Sequence, residues 1–202
     1  MCIRDRVKEV VKHPNPTRDF NNIVLRMRSV NPDVVIPANY YNEYALLLRA
    51  MKQQKVQPKA IYSVLGGAAS SYKFLKEFPD IANGIIDCNH WFNPQDPRVA
   101  PLKARVEEKG AYFSYEVFMT YVAVQLLADA IERARSADRA AITEALASST
   151  FHDNLMPYGP TKFVNGQNTG AQPLLTQVIG GDIKVIIPAQ YRQADAIFPL
   201  KA

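Results

Sequence analysis

The stretch Asn31-Pro32-Asp33-Val34-Val35-Ile36-Pro37-Ala38-Asn39-Tyr40-Tyr41-Asn42, continuing to Gln54, decides the fold. Asn31-Pro32-Asp33 is a turn, Val34 to Ile36 is a short apolar β-branched run, and Pro37 ends it. Beyond it, Tyr44, Leu47, Leu48 and Met51 recur at helical spacing, so the segment reads as strand, loop and helix. In an open parallel sheet such a loop lies at the carboxyl edge, where ligands of α/β proteins sit. This one carries two adjacent aromatic rings and two amides, Asn39 to Asn42, and reads as half of a small-molecule clamp.

The same rhythm extends on both sides. Val7 to Lys12 reads as a strand, and Pro14 and Pro16 forbid a helix through the next residues. Thr17 or Asp19 then caps a helix with Phe20, Ile23, Val24 and Met27 on its apolar face, ending near Val30. Lys59 to Leu65 is a further strand, closed by Gly66-Gly67. Ser70 or Ser71 opens a helix that buries Phe74 and Leu75, and Gly84 to Cys88 is another strand. The strand centres Val7, Val34, Ile61 and Ile85 lie 27, 27 and 24 residues apart, the length of a strand, a crossover helix and two loops. The fold class that follows is α/β, a parallel sheet with helices on both faces.

After Cys88 the rhythm stops. Asn89 to Pro97 is rich in turn formers and reads as a crossover. Arg98 to Lys109 is a helix, and Ser114 opens a long one with Val117, Tyr121, Val124, Ala128 and Ile131 on one seam. Asp138 caps a third, which turns Ile142, Ala145 and Leu146 inward. Ser148 to Gly170 is loop with a short strand at Thr161 to Val164. Leu174 to Ile179 and Ile183 to Ile187 flank a glycine turn and form a hairpin. Helices without a sheet of their own must bury their seams against something outside the stretch read so far.

Composition narrows the function classes. With 202 residues and 48% apolar content the chain can bury a substantial core. The formal charge of +5 is scattered over Arg26, Arg28, Lys52, Lys55, Lys59, Arg133, Arg135 and Arg139, with no nucleic-acid motif, so a polyanionic partner is not indicated. Cys2 and Cys88 form no disulfide framework. The most apolar window, Tyr115 to Ile131, is broken by Glu116, Thr120, Gln125 and Asp129 and is no membrane span. Met1 to Arg6 has no apolar signal core behind it and resembles a stray translated leader more than the start of a domain. His13, His90 and His152 lack metal-ligand spacing. Ser70-Ser71 lacks a nucleophile-elbow setting, and Gly66-Gly67 misses the dinucleotide glycine spacing. No cofactor, metal site or catalytic constellation is expected.

Taken together, Asp19-Phe20, Ile23-Val24, Met27, Asn31 to Val35, Tyr40-Tyr41, Leu48-Arg49 and Thr120 to Leu127 resemble, in order and spacing, the latter half of the branched-chain amino-acid type of periplasmic substrate-binding protein. These are the type I, leucine/isoleucine/valine-binding-like components of ATP-driven importers. The resemblance spans about Val7 to Pro199. It implies a two-lobed clamshell, with residues 7–90 and 173–199 in the second lobe and the helices of 91–172 belonging to a first lobe whose sheet and signal peptide lie upstream. It implies a periplasmic binding protein rather than an enzyme, monomeric when complete, delivering a small ligand to a membrane permease. The alternative is a ligand-sensing regulatory domain of the same fold.

By the same resemblance Tyr40 is a ligand contact, Tyr41 a further one, and Val64 or Leu65 stands at a cleft position; Asn39 in the same loop, Gly66 at the strand exit and Phe118 at its helix start are further cleft candidates. Where amino-acid binders of the family place a glutamate for the ligand ammonium, this chain has Val64 or Leu65, and no acidic residue lies between Glu43 and Glu77. A bound ammonium without a carboxylate forgoes a charge-assisted contact of about 2 kcal/mol. The expectation is therefore a small organic ligand, amino-acid-like at most, and more readily an aromatic or aliphatic acid or an amide.

Overall fold

The computed structural model describes residues 6–64 and 70–200. Helix α1 spans Asn21–Val30; the Asp19 carboxylate accepts the Asn21 amide at 2.8 Å, and Asn31 ends the helix in a left-handed conformation. Strand β1, Val34–Val35, follows, and then α2, Tyr41–Gln53, whose buried Tyr44, Leu47, Leu48 and Met51 form one stripe. Strand β2 is Ala60–Val64, α3 is Tyr72–Glu77, α4 is Pro79–Ala82, and β3 is Ile86–Asn89.

Val7 to Lys12, expected as a strand, takes no part in any ladder. It runs as irregular chain, tied by the Lys8 ammonium to the Val30 and Asn31 carbonyls. The segment has the composition of a strand, but among the described residues no backbone pairs with it, and a ladder needs two partners.

The crossover from His90 to Arg98 leads to α5, Val99–Glu108, α6, Tyr115–Ala134, and α7, Arg139–Ala147. Ser114 and Asp138 cap the last two: the Ser114 hydroxyl accepts the Val117 amide, and the Asp138 carboxylate accepts those of Ala140 and Ala141. A small ribbon, β4 (Phe163–Val164) and β5 (Gln167–Asn168), precedes the hairpin of β6 (Leu174–Ile179) and β7 (Asp182–Ile187). Gly180 and Gly181 sit at φ +61° and +79°, a turn that matches strand twist and that side chains resist.

The sheet order is β1-β2-β3-β6-β7. β1, β2 and β3 are parallel, and β6 joins β3 antiparallel, with Asp87 opposite Thr176. Alternation along the register puts Val35, Ser63, Asp87, Asn89, Leu174, Thr176 and Val185 on one face, and all are buried. Tyr44 of α2, Phe74 and Leu75 of α3, Trp91 and Phe113 complete that core, with Tyr44 and Phe74 edge-to-face at 5.8 Å. The opposite face carries Tyr62, Val64, Ile86, Cys88 and Leu175, all half-exposed. The expectation of helices on both faces is thus met on one face among the described residues.

The seam expected on α6 divides. Val117 and Tyr121 pack against the core, whereas Val124 and Ile131 are exposed and Phe118, Val122 and Ala130 are the buried positions.

Phe74 lies at the centre of the face-packed core and is fully buried. Phe74→Ala is expected to cost about 3–5 kcal/mol through lost transfer energy and a residual cavity. Urea unfolding should register this as a lower midpoint at unchanged slope.

Candidate ligand-binding site

The carboxyl ends of β1, β2 and β3 open onto one edge, and the chain leaving β1 builds most of what is described there. Asn39 is buried, and its amide donates to His13 Nε2 at 2.9 Å. His13 Nε2 is then an acceptor, so Nδ1 carries the ring hydrogen and faces the Pro14 carbonyl and the Thr17 hydroxyl, each at 3.0 Å. The Glu43 carboxylate, buried at the start of α2, accepts the Thr17 amide at 2.7 Å. Segment 13–17 and the helix start are therefore one hydrogen-bonded unit, which fixes the backbone on either side of Tyr40.

Tyr40 itself is the first residue before α2, extended at φ −72° and ψ 166°, and its carbonyl accepts the Tyr44 amide at 2.8 Å. The residue is 71% exposed, although the preceding Asn39 and the following Glu43 and Tyr44 are buried. Tyr115, at the start of α6, lies near enough to feel Tyr40 and Asp87 electrostatically, and its hydroxyl is pushed above the usual phenol range chiefly by burial.

The other expected contacts separate from this pair. Tyr41 turns to the helix layer: its ring meets Phe74 edge-on at 5.6 Å, Lys73 Nζ lies 5.2 Å from its centre, and its hydroxyl donates to the Glu77 carboxylate. Phe118 is fully buried in an aromatic cluster, 6.2 Å from Phe92, which itself packs on Trp91 and Phe113. Val64 ends β2 half-buried, on the face opposite Asp87. Leu65 and Gly66 lie outside the described residues. The structure thus leaves Asn39 and Tyr40 at the edge, packs half-buried Tyr41 against the helix layer and buries Phe118 in the core.

Just beneath the edge lies a polar row that the linear sequence did not single out. Asp87 and Asn89 of β3, Ser63 of β2 and Tyr44 of α2 are all buried, and Ser70 donates its hydroxyl to Asp87 Oδ2. Among the described residues, Asp87 Oδ1, Ser63 Oγ, Tyr44 OH and Asn89 Nδ2 make no hydrogen bond of ordinary geometry. Burial pushes the Asp87 carboxyl above its ordinary value, against the opposing pull of Ser70, Ser63 and Asn89. Alternation of Ile86, Asp87, Cys88 and Asn89 would have placed Asp87 and Asn89 on one face. That this face is the closed one depends on which side the helices chose.

Among the described residues no cluster of His, Cys, Asp or Glu is placed to hold a metal, and no helix is long and apolar enough to cross a membrane. The site offers an exposed aromatic residue, a fixed backbone and a buried carboxyl. These suit recognition of an apolar or aromatic surface with polar groups at its margin.

Comparisons with known proteins agree with this architecture. The profile of the family described as periplasmic binding protein matches residues 5–182. A Leu/Ile/Val-binding protein homolog 7 of Brucella melitensis is 24% identical over 190 residues, covering 87% of this chain and 46% of the relative. A leucine-, isoleucine-, valine-, threonine-, and alanine-binding protein of Pseudomonas aeruginosa is 27% identical over 138 residues, covering 66% of this chain and 35% of the relative. The chain thus spans about half the length, or less, of these curated relatives. Among solved structures, a leucine-binding protein of Thermotoga maritima superposes with a TM-score of 0.71 at 23% identity, covering 87% of this chain and 49% of that one. An extracellular ligand-binding receptor of Rhodopseudomonas palustris gives 0.69 at 20% identity, covering 86% and 52%.

The charge state of Asp87 makes a pH-dependent prediction. A carboxyl raised in the folded state contributes stability that is fully present below its ordinary value of 3.8 and is lost as pH rises through the folded value. Asp87→Asn removes the buried charge. It is expected to raise Tm at pH 7 by roughly 2–4 °C, the shift that about 1 kcal/mol produces in a chain of this size, and to change it little at pH 3. Thermal melts of both proteins at the two pH values check this.

Proposed function

The chain belongs to the periplasmic binding protein family, and from that premise we propose that it is part of an extracytoplasmic solute receptor that holds a small organic ligand at the carboxyl edge of β1, β2 and β3. Members of this family bind solutes and are not enzymes. The observation that carries the reading is Tyr40: a large aromatic ring left in solvent at the edge, on a backbone held rigid by buried neighbours. Such a ring supplies contact area while losing little rotamer freedom on binding.

The lobe assignment follows the same reasoning. Residues 7–90 and 173–199 form the second lobe, since β6 returns to pair with β3 and closes the sheet. Residues 91–172 supply helices to a first lobe whose sheet lies elsewhere in the longer polypeptide. Val124, Leu127 and Ile131 of α6, exposed at successive turns, support this, because an apolar stripe of that kind ordinarily meets a sheet. Ligand touching both lobes would bias an open-closed equilibrium toward closure, and the closed form is what a membrane permease of an ABC importer would engage. The complete protein would be monomeric, exported by a signal peptide upstream.

The ligand class follows from charge. No acidic residue lies between Glu43 and Glu77 in the chain, and burial raises the Asp87 carboxyl beneath the edge above its ordinary value. An aromatic or aliphatic acid, or an amide, fits this edge better than a free α-amino acid.

The complete protein should show thermal shifts with benzoate-type aromatic acids, short aliphatic acids or simple amides that exceed those with leucine. At a hundred times Kd, a binding ligand stabilises by about 2.7 kcal/mol. Tyr40→Ala should weaken the best ligand at least tenfold in calorimetry, with the ligand-free Tm unchanged. An unaltered Kd in that variant would overturn the assignment of Tyr40.

A further inference from the structure

Residues 151–161, between α7 and β4, form a compact loop whose ends meet. The Thr161 amide donates to the Phe151 carbonyl at 2.8 Å, and the buried Asn154 amide donates to the same carbonyl at 3.0 Å and to the Thr161 hydroxyl at 3.3 Å. A loop cinched in this way moves as one piece. Its tip is fastened on two sides. Toward the crossover, the Leu155 carbonyl accepts the Asn93 amide at 2.9 Å, and the Arg98 guanidinium, held by Asp96, reaches the Asp153 carboxylate and the Asn154 carbonyl. Toward the exit of β7, Tyr191 donates its hydroxyl to the Pro157 carbonyl and meets the Tyr158 ring edge-on at 5.7 Å.

Tyr191 is itself firmly placed. The Gln193 amide donates to the Val185 carbonyl at 2.8 Å, and its side chain accepts the Val185 amide at 3.1 Å, which folds residues 188–193 back on β7. Gln95 Nε2 donates to the Gln190 carbonyl at 2.8 Å. Tyr191 thus stands on the hairpin that returns to the proposed second lobe, while Pro157 and Tyr158 belong to the proposed first. We infer that this clasp is a pivot between the lobes, and that Tyr191 sets ligand affinity from a distance by holding Tyr40 in register with the first lobe. The inference rests on the receptor reading.

Sheet topology gives the clasp its leverage. β6 is antiparallel to β3 and β7 to β6, so β7 ends on the same edge as β1, β2 and β3. β1 and β7 are the two ends of the strand order. Four interstrand steps of about 4.8 Å put the clasp about 19 Å from the Tyr40 end of that edge, where about ten degrees of play at Tyr191 becomes about 3 Å of displacement. Binding groups need placement within about 0.5 Å. A ligand that touches both lobes binds only the molecules in which they are correctly placed, and its apparent affinity falls with that fraction. One hydrogen bond and one ring pair therefore act on the far end of the edge without touching ligand.

The test uses the complete protein with nitroxide labels at Gln53→Cys on α2 and Glu144→Cys on α7, both exposed positions, and every other cysteine changed to serine. Tyr191→Phe keeps the ring and deletes the hydroxyl. Without ligand it should at least double the width of the interlabel distance distribution measured by double electron–electron resonance. In calorimetry with benzoate and with leucine it should weaken binding roughly threefold to tenfold, the effect of one hydrogen bond lost at the pivot. Arg192→Ala, which removes the neighbouring exposed pair with Asp195, should change neither readout. A role in folding alone would lower Tm and leave the native-state width as in the parent. An unaltered width in Tyr191→Phe overturns the inference, and so does a broader one with unaltered affinity. Binding of neither probe to the parent protein counts against the receptor reading, while the width still decides whether Tyr191 is the pivot.

Discussion

A strand followed by a right-handed crossover delivers its helix to one side of the sheet, and the side stays the same for as long as the chain keeps stepping in one direction. From α1 to α3 this chain obeys that constraint, and the rest of the structure follows from it. Helices gather on one face, so the residues beneath them, Val35, Ser63, Asp87, Leu174 and Thr176, must tolerate complete burial. The aromatic side chains Tyr44, Phe74, Trp91 and Phe113 then fill the space between layers. Each fully buried side chain of this size contributes about 1.5–3 kcal/mol relative to exposure, which makes this single face the main source of cohesion.

The same constraint shapes the candidate site. Parallel strands end together, so the loops after β1, β2 and β3 share an edge, and the buried face beneath that edge carries Ser63, Asp87 and Asn89 in neighbouring registers. Desolvation raises the pKa of a carboxyl in that position above its ordinary value. What remains outward is the Tyr40 ring, held by the linkage of His13, Asn39, Thr17 and Glu43. Rigidity below and exposure above is the arrangement that lets a binding surface form without a large ordering cost.

Much of this was legible in the residues. The spacing of the runs at Val34, Ile61 and Ile85, the turn at Asn31-Pro32-Asp33, the caps Ser114 and Asp138, and the Gly180-Gly181 hairpin each carry a local mechanism that works without knowledge of the rest. The strand at Val7 to Lys12 failed for the complementary reason. Apolar alternation states what a segment can pair as, whereas pairing requires a neighbour at hydrogen-bonding distance, and none of the described residues supplies one. The α6 seam was read correctly as apolar, but which part of a helix circumference is covered depends on what stands beside it.

The site divides along the same line. Sequence alone determined that a rigid strand-to-helix loop would present two tyrosines at a sheet edge, because the dihedral limits of proline and the period of the α2 stripe are properties of the chain itself. Only the tertiary structure decided that Tyr40 faces solvent while Tyr41 joins Phe74 and Glu77, and that Phe118 is core. It alone assembled Ser63, Ser70, Asp87 and Tyr44, which are separated by up to 43 residues, into one buried polar row. Side-chain direction at a helix start and proximity across strands are set by long-range packing, which no local pattern encodes.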